Sequence, residues 1–454
     1  MNGVSLSRWT MSYFTAALLA LLGTEVLMVA GFGFPSHGIQ APETLVLVHL
    51  VAVGWLSILM CGALNQFVPV LVARPLVHPE LPVVALALLI SGLACLLVGF
   101  LRMAGYPVGA LPWLPLGAVG LTAGFALTIW NLGRTMWTAR PIGLPAWFVV
   151  AGLVSLAGVI SLGTIFSLAL GGWTTNSTLM RLTSAGIPFH AALGLGGWLT
   201  FTAMGVSYRL LAMFMLAPEE EHRTSRIALL TGSASILVLL VGGPLCLLIL
   251  ERSATHPLVI SLALATVSLA FYGYDIIRLY RTRRRQRIEL NARMAAWALG
   301  GLGLATILLL VVTISGEIDR RIGAVAFLLA FGWLTGLGLA KLYKIVAFLT
   351  WLECYGELLG RRPTPRVQDL VDEPRALPWF WLYFGCVGAA SIAALLDGSL
   401  AFQIAALGML VATAAICKQF ISIRTLGSVP ASMLPDDAVA RLRLFLPILQ
   451  QSRR

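Results

Sequence analysis

Gly54-Trp55-Leu56-Ser57 recurs as Gly197-Trp198-Leu199-Thr200 and again as Gly332-Trp333-Leu334-Thr335. The match continues downstream of each copy. Gly62 aligns with Gly205 and Ala340, Asn65 with Tyr208 and Tyr343, Gln66 with Arg209 and Lys344, and Val68 with Leu211 and Val346. The copies are spaced 143 and 135 residues apart. Internal repetition is informative before any other feature, because a repeated unit fixes the architecture built around it. Many transporters are also assembled from repeats, so repetition sets the scaffold and leaves the chemistry open.

Working outward, each copy lies inside a long apolar stretch. The chain of 454 residues is 59% hydrophobic and 11% charged, against roughly 45–50% and about 25% in soluble domains. A soluble enzyme is excluded. A bilayer-crossing helix needs about 20 mostly apolar residues. Twelve stretches qualify: 11–33, 43–72, 81–102, 109–132, 145–171, 184–216, 227–250, 257–279, 294–315, 322–351, 377–397 and 400–421. The three Gly-Trp copies fall in the second, sixth and tenth. The expected fold is therefore an all-α integral membrane protein of twelve transmembrane helices in three pseudo-repeats of four. It occupies residues 1–430, and 431–454 form a cytoplasmic amphipathic tail on the inner leaflet. Glu25 inside the first stretch, and the lack of a small-residue cleavage site, mark that stretch as a retained helix rather than a signal peptide.

Arginine and lysine in the loops give the orientation. Loops after even-numbered helices hold Arg74, Arg134, Arg140, Arg223, Arg226, the run from Arg278 to Arg293, and Arg361, Arg362, Arg366 and Arg375. Loops after odd-numbered helices hold only Arg102, Arg181, Arg252, Arg320 and Arg321. Both termini are expected in the cytoplasm, with the chain a multi-pass protein of the inner (cytoplasmic) membrane. The net charge of +12 follows from this loop pattern and does not point to nucleic acid. Six cysteines are scattered without a Cys-x-x-Cys pair, so no zinc or thiol-redox site is evident.

Ionisable groups inside a membrane are costly and are functional candidates by default. His49 lies near the outer end of the second helix, and His190 lies two residues before the matching position on the sixth. Imidazole is a common ligand for metals and haem iron. The third copy has Phe327 in place of His49 and no histidine in its helix. Glu25 is expected at a similar level on the first helix. Arg209, Lys341 and Lys344, beside Tyr208 and Tyr343, lie towards the inner ends, where long basic side chains snorkel to the interface. Asp275 and Glu353 read the same way.

The segment His49-Leu50-Val51-Ala52-Val53-Gly54-Trp55, followed by Gly62-Ala63-Leu64-Asn65-Gln66-Phe67-Val68-Pro69, resembles the second helix of subunit I in the haem–copper oxidase and nitric oxide reductase superfamily. The resemblance implies that His49 is a low-spin haem ligand and that His190 lies on the helix carrying the first copper ligand. Glu25, Asn65, Tyr208 and Arg209 would then be polar groups around the cofactor. The chain departs from that family in three places. Ala191-Ala192-Leu193-Gly194 follows His190 where a Pro-Glu-Val-Tyr run belongs, and neither the seventh nor the tenth helix has a histidine. Copper therefore lacks its imidazoles, and the oxygen-reducing haem lacks its axial ligand. The expectation is a haem-binding protein, not an oxidase: an electron-transfer, gas-sensing or accessory component of a respiratory or denitrification system. Its implied partners are the lipid bilayer and respiratory-chain subunits or a cytochrome. The alternative is a cofactor-free carrier, channel or assembly factor for a small molecule or metal on the same scaffold.

Overall fold

A computed structural model describes residues 8–218, 221–249, 254–361, 363–435 and 444–445. Every regular element among them is helical. In chain order the long helices are α1 (Thr10–Val29), α2 (Pro42–Val72), α3 (Leu81–Met103), α4 (Trp113–Thr138), α5 (Leu144–Leu170), α6 (187–215), α7 (Arg223–Ile249), α8 (Thr255–Arg281), α9 (Leu290–Ile314), α10 (Ile318–Leu358), α11 (Glu373–Leu395) and α12 (Ser399–Arg424). Eleven of these are long and apolar enough to cross a membrane, and α6 is not among them. It is unbroken and long enough, but its glycines, Trp198 and hydroxyl residues dilute its hydropathy. The start expected at 184 belongs to a separate short helix, Ser177–Ala185, capped by the Asn176 side chain on the amides of Thr178 and Leu179. The chain is a multi-pass membrane protein.

The helices sort into two compact units. The described part of the first is residues 52–218, 221–249 and 254–286, from the second part of α2 through α8. Within it α3 and α4 meet backbone to backbone. A Cβ on Gly92 would stand 2.5 Å from the Leu121 amide nitrogen, and one on Gly120 would stand 2.7 Å from the Gly92 Cα. Such approach is how helices associate where lipid offers no hydrophobic drive. Hydroxyls tie α7 to α8: the Ser235 and Ser261 Oγ atoms are 2.8 Å apart, and Ser268 donates to the Ala228 carbonyl at 2.7 Å. At one end of α4, the Arg140 guanidinium lies 3.7 Å over the Trp137 ring, a pairing suited to a membrane interface.

The second unit joins α1, the start of α2, and α9 to α12. A Cβ on Gly301 of α9 would stand 3.1 Å from the Gly332 carbonyl carbon of α10, so these two helices also touch through backbone. Two ion pairs are buried here. Lys344 Nζ meets Glu289 at 2.8 Å, and Arg424 meets Glu353 at 2.9 Å with both side chains under a tenth exposed. The snorkelling expected of Lys344 and Glu353 is therefore wrong, because each has a buried partner of opposite charge. Lys341 is only 8% exposed as well. In the turn between α11 and α12, Asp397 adopts a left-handed φ of 58°. Its carboxylate accepts from Arg320 at 2.7 Å, and the Arg321 guanidinium donates to the Leu395 carbonyl. The Arg320 hydrogen bond holds the Asp397 carboxyl below its ordinary range. Of the expected tail only 431–435 and 444–445 are described, so its amphipathic helix, like Arg252 and Arg362, lies outside the described residues.

Candidate functional site

Each Gly-Trp-Leu-Ser/Thr stretch lies in a π-helical segment: Leu50–Ser57 in α2, Ala192–Phe201 in α6 and Leu328–Thr335 in α10. Wider π turns disturb the regular carbonyl partnering, and hydroxyls in the membrane can re-satisfy the freed groups. That happens in all three copies. Ser57 donates to the Ala52 carbonyl five residues back at 2.7 Å, and Thr335 to Ala330 at 2.8 Å. Hydroxyls in the α-helical stretches that bond within their own helix reach three or four residues back, as Ser184 does to Arg181 at 3.0 Å and Thr24 to Ala20 at 2.9 Å. From outside the segments, Ser155 of α5 donates to the Leu193 carbonyl at 2.9 Å, and Tyr383 of α11 to Phe331 at 3.0 Å. Trp55, Trp198 and Trp333 are fully buried. The Trp198 indole donates to Ser57 Oγ at 3.0 Å, joining two of the repeated motifs directly.

The candidate residues stand at the entrances to these segments. His49 is the last α-helical residue before the π turns of α2, and Phe327 holds the same position before those of α10. The His49 ring is half-buried, with Nδ1 2.8 Å from the Leu45 carbonyl. A carbonyl can only accept, so Nδ1 is the protonated nitrogen and Nε2 the one with ligand character. A backbone anchor of this kind fixes a ligating imidazole's tautomer and orientation. His190, also half-buried, precedes the π turns of α6 and lies against α5. A Cβ on Gly163 would stand 3.2 Å from its Cε1, and the Phe166 ring is 5.5 Å away. His49 and His190 fall in different compact units.

Phe327 makes the opposite kind of environment. It stacks on Phe331 with ring centroids 4.7 Å apart and meets Phe402 edge-on at 5.1 Å, while Phe34 meets Phe402 at 6.3 Å. His49 presents one imidazole at the mouth of its segment, and the matching position on α10 is an aromatic packing site. Among the described residues no three His, Cys, Asp or Glu side chains are grouped to hold a metal ion.

The remaining candidates separate. Glu25 is fully buried and accepts from Thr413 of α12 at 2.8 Å. Asn65 is buried in α2. Tyr208 and Arg209 belong instead to a cavity of about 300 Å³ in the first unit, lined also by Glu221, His222, Asp275 and Arg278. There the Tyr208 hydroxyl donates to Asp275 at 2.9 Å, and Thr224 donates to the other carboxylate oxygen. Asp275 is 5% exposed and bound by two hydroxyls, so it does not snorkel either. Nothing in the composition signals this cavity, because its lining comes from the ends of α5, α6, α7 and α8.

No family model matches the chain, and no curated protein matches it. Among solved structures it is similar to a heme-copper terminal oxidase whose dimer was determined by cryo-EM. The TM-score is 0.50 at 13% identity, over 97% of this chain and 86% of that one. The two share a fold.

Proposed function

We propose that this chain is an oxidase subunit I-like membrane protein that holds a haem through His49 without a working haem–copper centre. It serves electron transfer, gas sensing or an accessory role beside respiratory subunits or a cytochrome. The observation that carries this reading is the His49 imidazole, oriented by the Leu45 carbonyl at the mouth of a π-helical segment. Protein π turns are frequent at functional sites. Support comes also from the shared fold and from the resemblance of the His49 segment to the second helix of haem–copper oxidase subunit I. With no histidine in α7 or α10, copper has no ligand set, and oxygen or nitric oxide reduction is not part of the proposal. When bound, haem would supply one-electron chemistry or a coordination position for a gas. His49 would anchor and orient it. The proposed setting is the inner membrane with both termini cytoplasmic, a reading that the arginine-rich loops support.

The aromatic packing around Phe327 favours a second reading, a cofactor-free carrier, channel or assembly factor. One measurement separates them. The purified wild type should show a Soret band with reduced α and β bands, and His49→Ala should lose them at unchanged helix content. A colourless wild type, or unchanged spectra in His49→Ala, would sink the haem reading.

A further inference from the structure

The carboxyl groups of Glu353, Glu289, Asp275 and Glu25 are satisfied in different ways. Glu353 is paired with Arg424 and Glu289 with Lys344. Asp275 has a hydroxyl donor on each oxygen. Glu25 has neither arrangement. It is fully buried, one turn from the end of α1 at Val29. Its Oε1 accepts the Thr413 hydroxyl at 2.8 Å, while Oε2 has no hydrogen-bond partner. No Lys, Arg or His is paired with it among the described residues. The groups within electrostatic reach are neutral: the Tyr383 phenol of α11 and the Cys417 thiol of α12. The Tyr383 hydroxyl is already committed to the Phe331 carbonyl at 3.0 Å.

We propose that Glu25 is a buried proton-binding site, a neutral carboxylic acid that holds an exchangeable proton between α1, α11 and α12. An ionised carboxylate in hydrocarbon needs a cation or a full set of donors, and Glu25 has one hydroxyl. The neutral acid needs only that hydroxyl on its carbonyl oxygen, with the proton on Oε2. Among the described residues Glu25 is not in a group of three ligating side chains, so no metal site is proposed there. The proton on Oε2 has no acceptor to lock it, so it is free to leave when water or another base reaches the end of α1. Thr413 then remains as the donor to the carboxylate. The site does not depend on a bound haem.

The test uses the full-length protein in lipid nanodiscs at pH 7. Its infrared spectrum should contain a protonated-carboxyl C=O stretch that moves on exchange into D₂O and is lost in Glu25→Gln. Ionised-carboxylate bands lost in Glu25→Gln, in place of that stretch, would overturn the proposal. A protonated stretch that does not move in D₂O would overturn exchangeability. If Glu25→Gln fails to fold, the wild type is treated with dicyclohexylcarbodiimide. The carboxyl oxygen bonds to the central carbon of that reagent while its proton moves to a nitrogen, so an ionised Glu25 in a dry site does not react. A mass adduct on the Glu25 peptide, absent from the Glu353 peptide, is expected. Equal labelling of both, or none on Glu25, counts against a neutral Glu25.

Discussion

α2 and α10 arrive at the same device with different residues at its mouth. Both pass from α to π geometry immediately before a Gly-Trp-Leu-Ser/Thr stretch, both bury the tryptophan, and both bend the hydroxyl back five residues. At the switch α2 has His49 anchored to its own helix, and α10 has Phe327 stacked among Phe331 and Phe402. The shared part is structural, since a buried indole beside a glycine is a packing unit wherever it occurs. The part that differs is chemical. A polar ring stands at one mouth and hydrocarbon at the other, which is why the proposed haem site is on α2 alone.

The largest effect should come from the shared part. Trp55→Ala and Trp333→Ala each remove a fully buried indole, and each should destabilise the protein by about 3–5 kcal/mol. Unfolding in detergent, followed by circular dichroism, measures both. If one truncation is tolerated and the other is not, the two motifs are not the same packing unit and the comparison fails.

The repeated motif was legible in the sequence because tryptophan, glycine and hydroxyl recur together in otherwise featureless apolar runs. Its π geometry was not legible. An apolar stretch has no polar stripe from which a change of period can be read. Ser57 and Thr335 were visible as residues, but not their reach of five positions. Burial of the inner charges was also hidden, because the partners are remote. Glu289 and Lys344 are 55 positions apart, and Glu353 and Arg424 are 71 apart. A rule based on helix ends cannot see such pairs. His49 and Glu25 could be named from sequence, since any ionisable group in a span is conspicuous. What surrounds each of them required the packing of other helices.

An intermediate effect should sharpen the chemical difference. Phe327→His would place an imidazole among Phe331 and Phe402, whose rings offer no hydrogen-bond partner. The expected cost is about 1–3 kcal/mol, and the visible spectrum should not change. Thermal unfolding and the reduced spectrum of the same preparation test both parts. A variant as stable as wild type, with a second imidazole on the haem, would show that α10 kept a ligand position and lost only its residue.

The smallest effect lies at the beginnings of the two helices. α2 begins with Pro42 and Glu43, and an acidic group suits the positive end of a helix. α10 has Asp319 in its first turn as well, but Arg320 and Arg321 follow it and oppose the same dipole. Asp397 compensates, accepting from Arg320 at 2.7 Å and lying 3.4 Å from Arg321. The Arg320 hydrogen bond lowers the carboxyl's pKa from the ordinary 3.8, so folding favours the ionised form. A depressed carboxylate contributes stability that is full above its unfolded value and disappears as pH falls through its lower folded value. The Tm of wild type should therefore exceed that of Asp397→Asn by a small, constant margin above about pH 5, and the margin should close in strong acid. Asparagine tolerates the left-handed backbone of this position, so the variant changes charge with little added strain. A margin that persists unchanged in acid would mean that the turn, and not the ion pair, steadies the start of α10. Its resemblance to α2 would then extend to both ends of the helix.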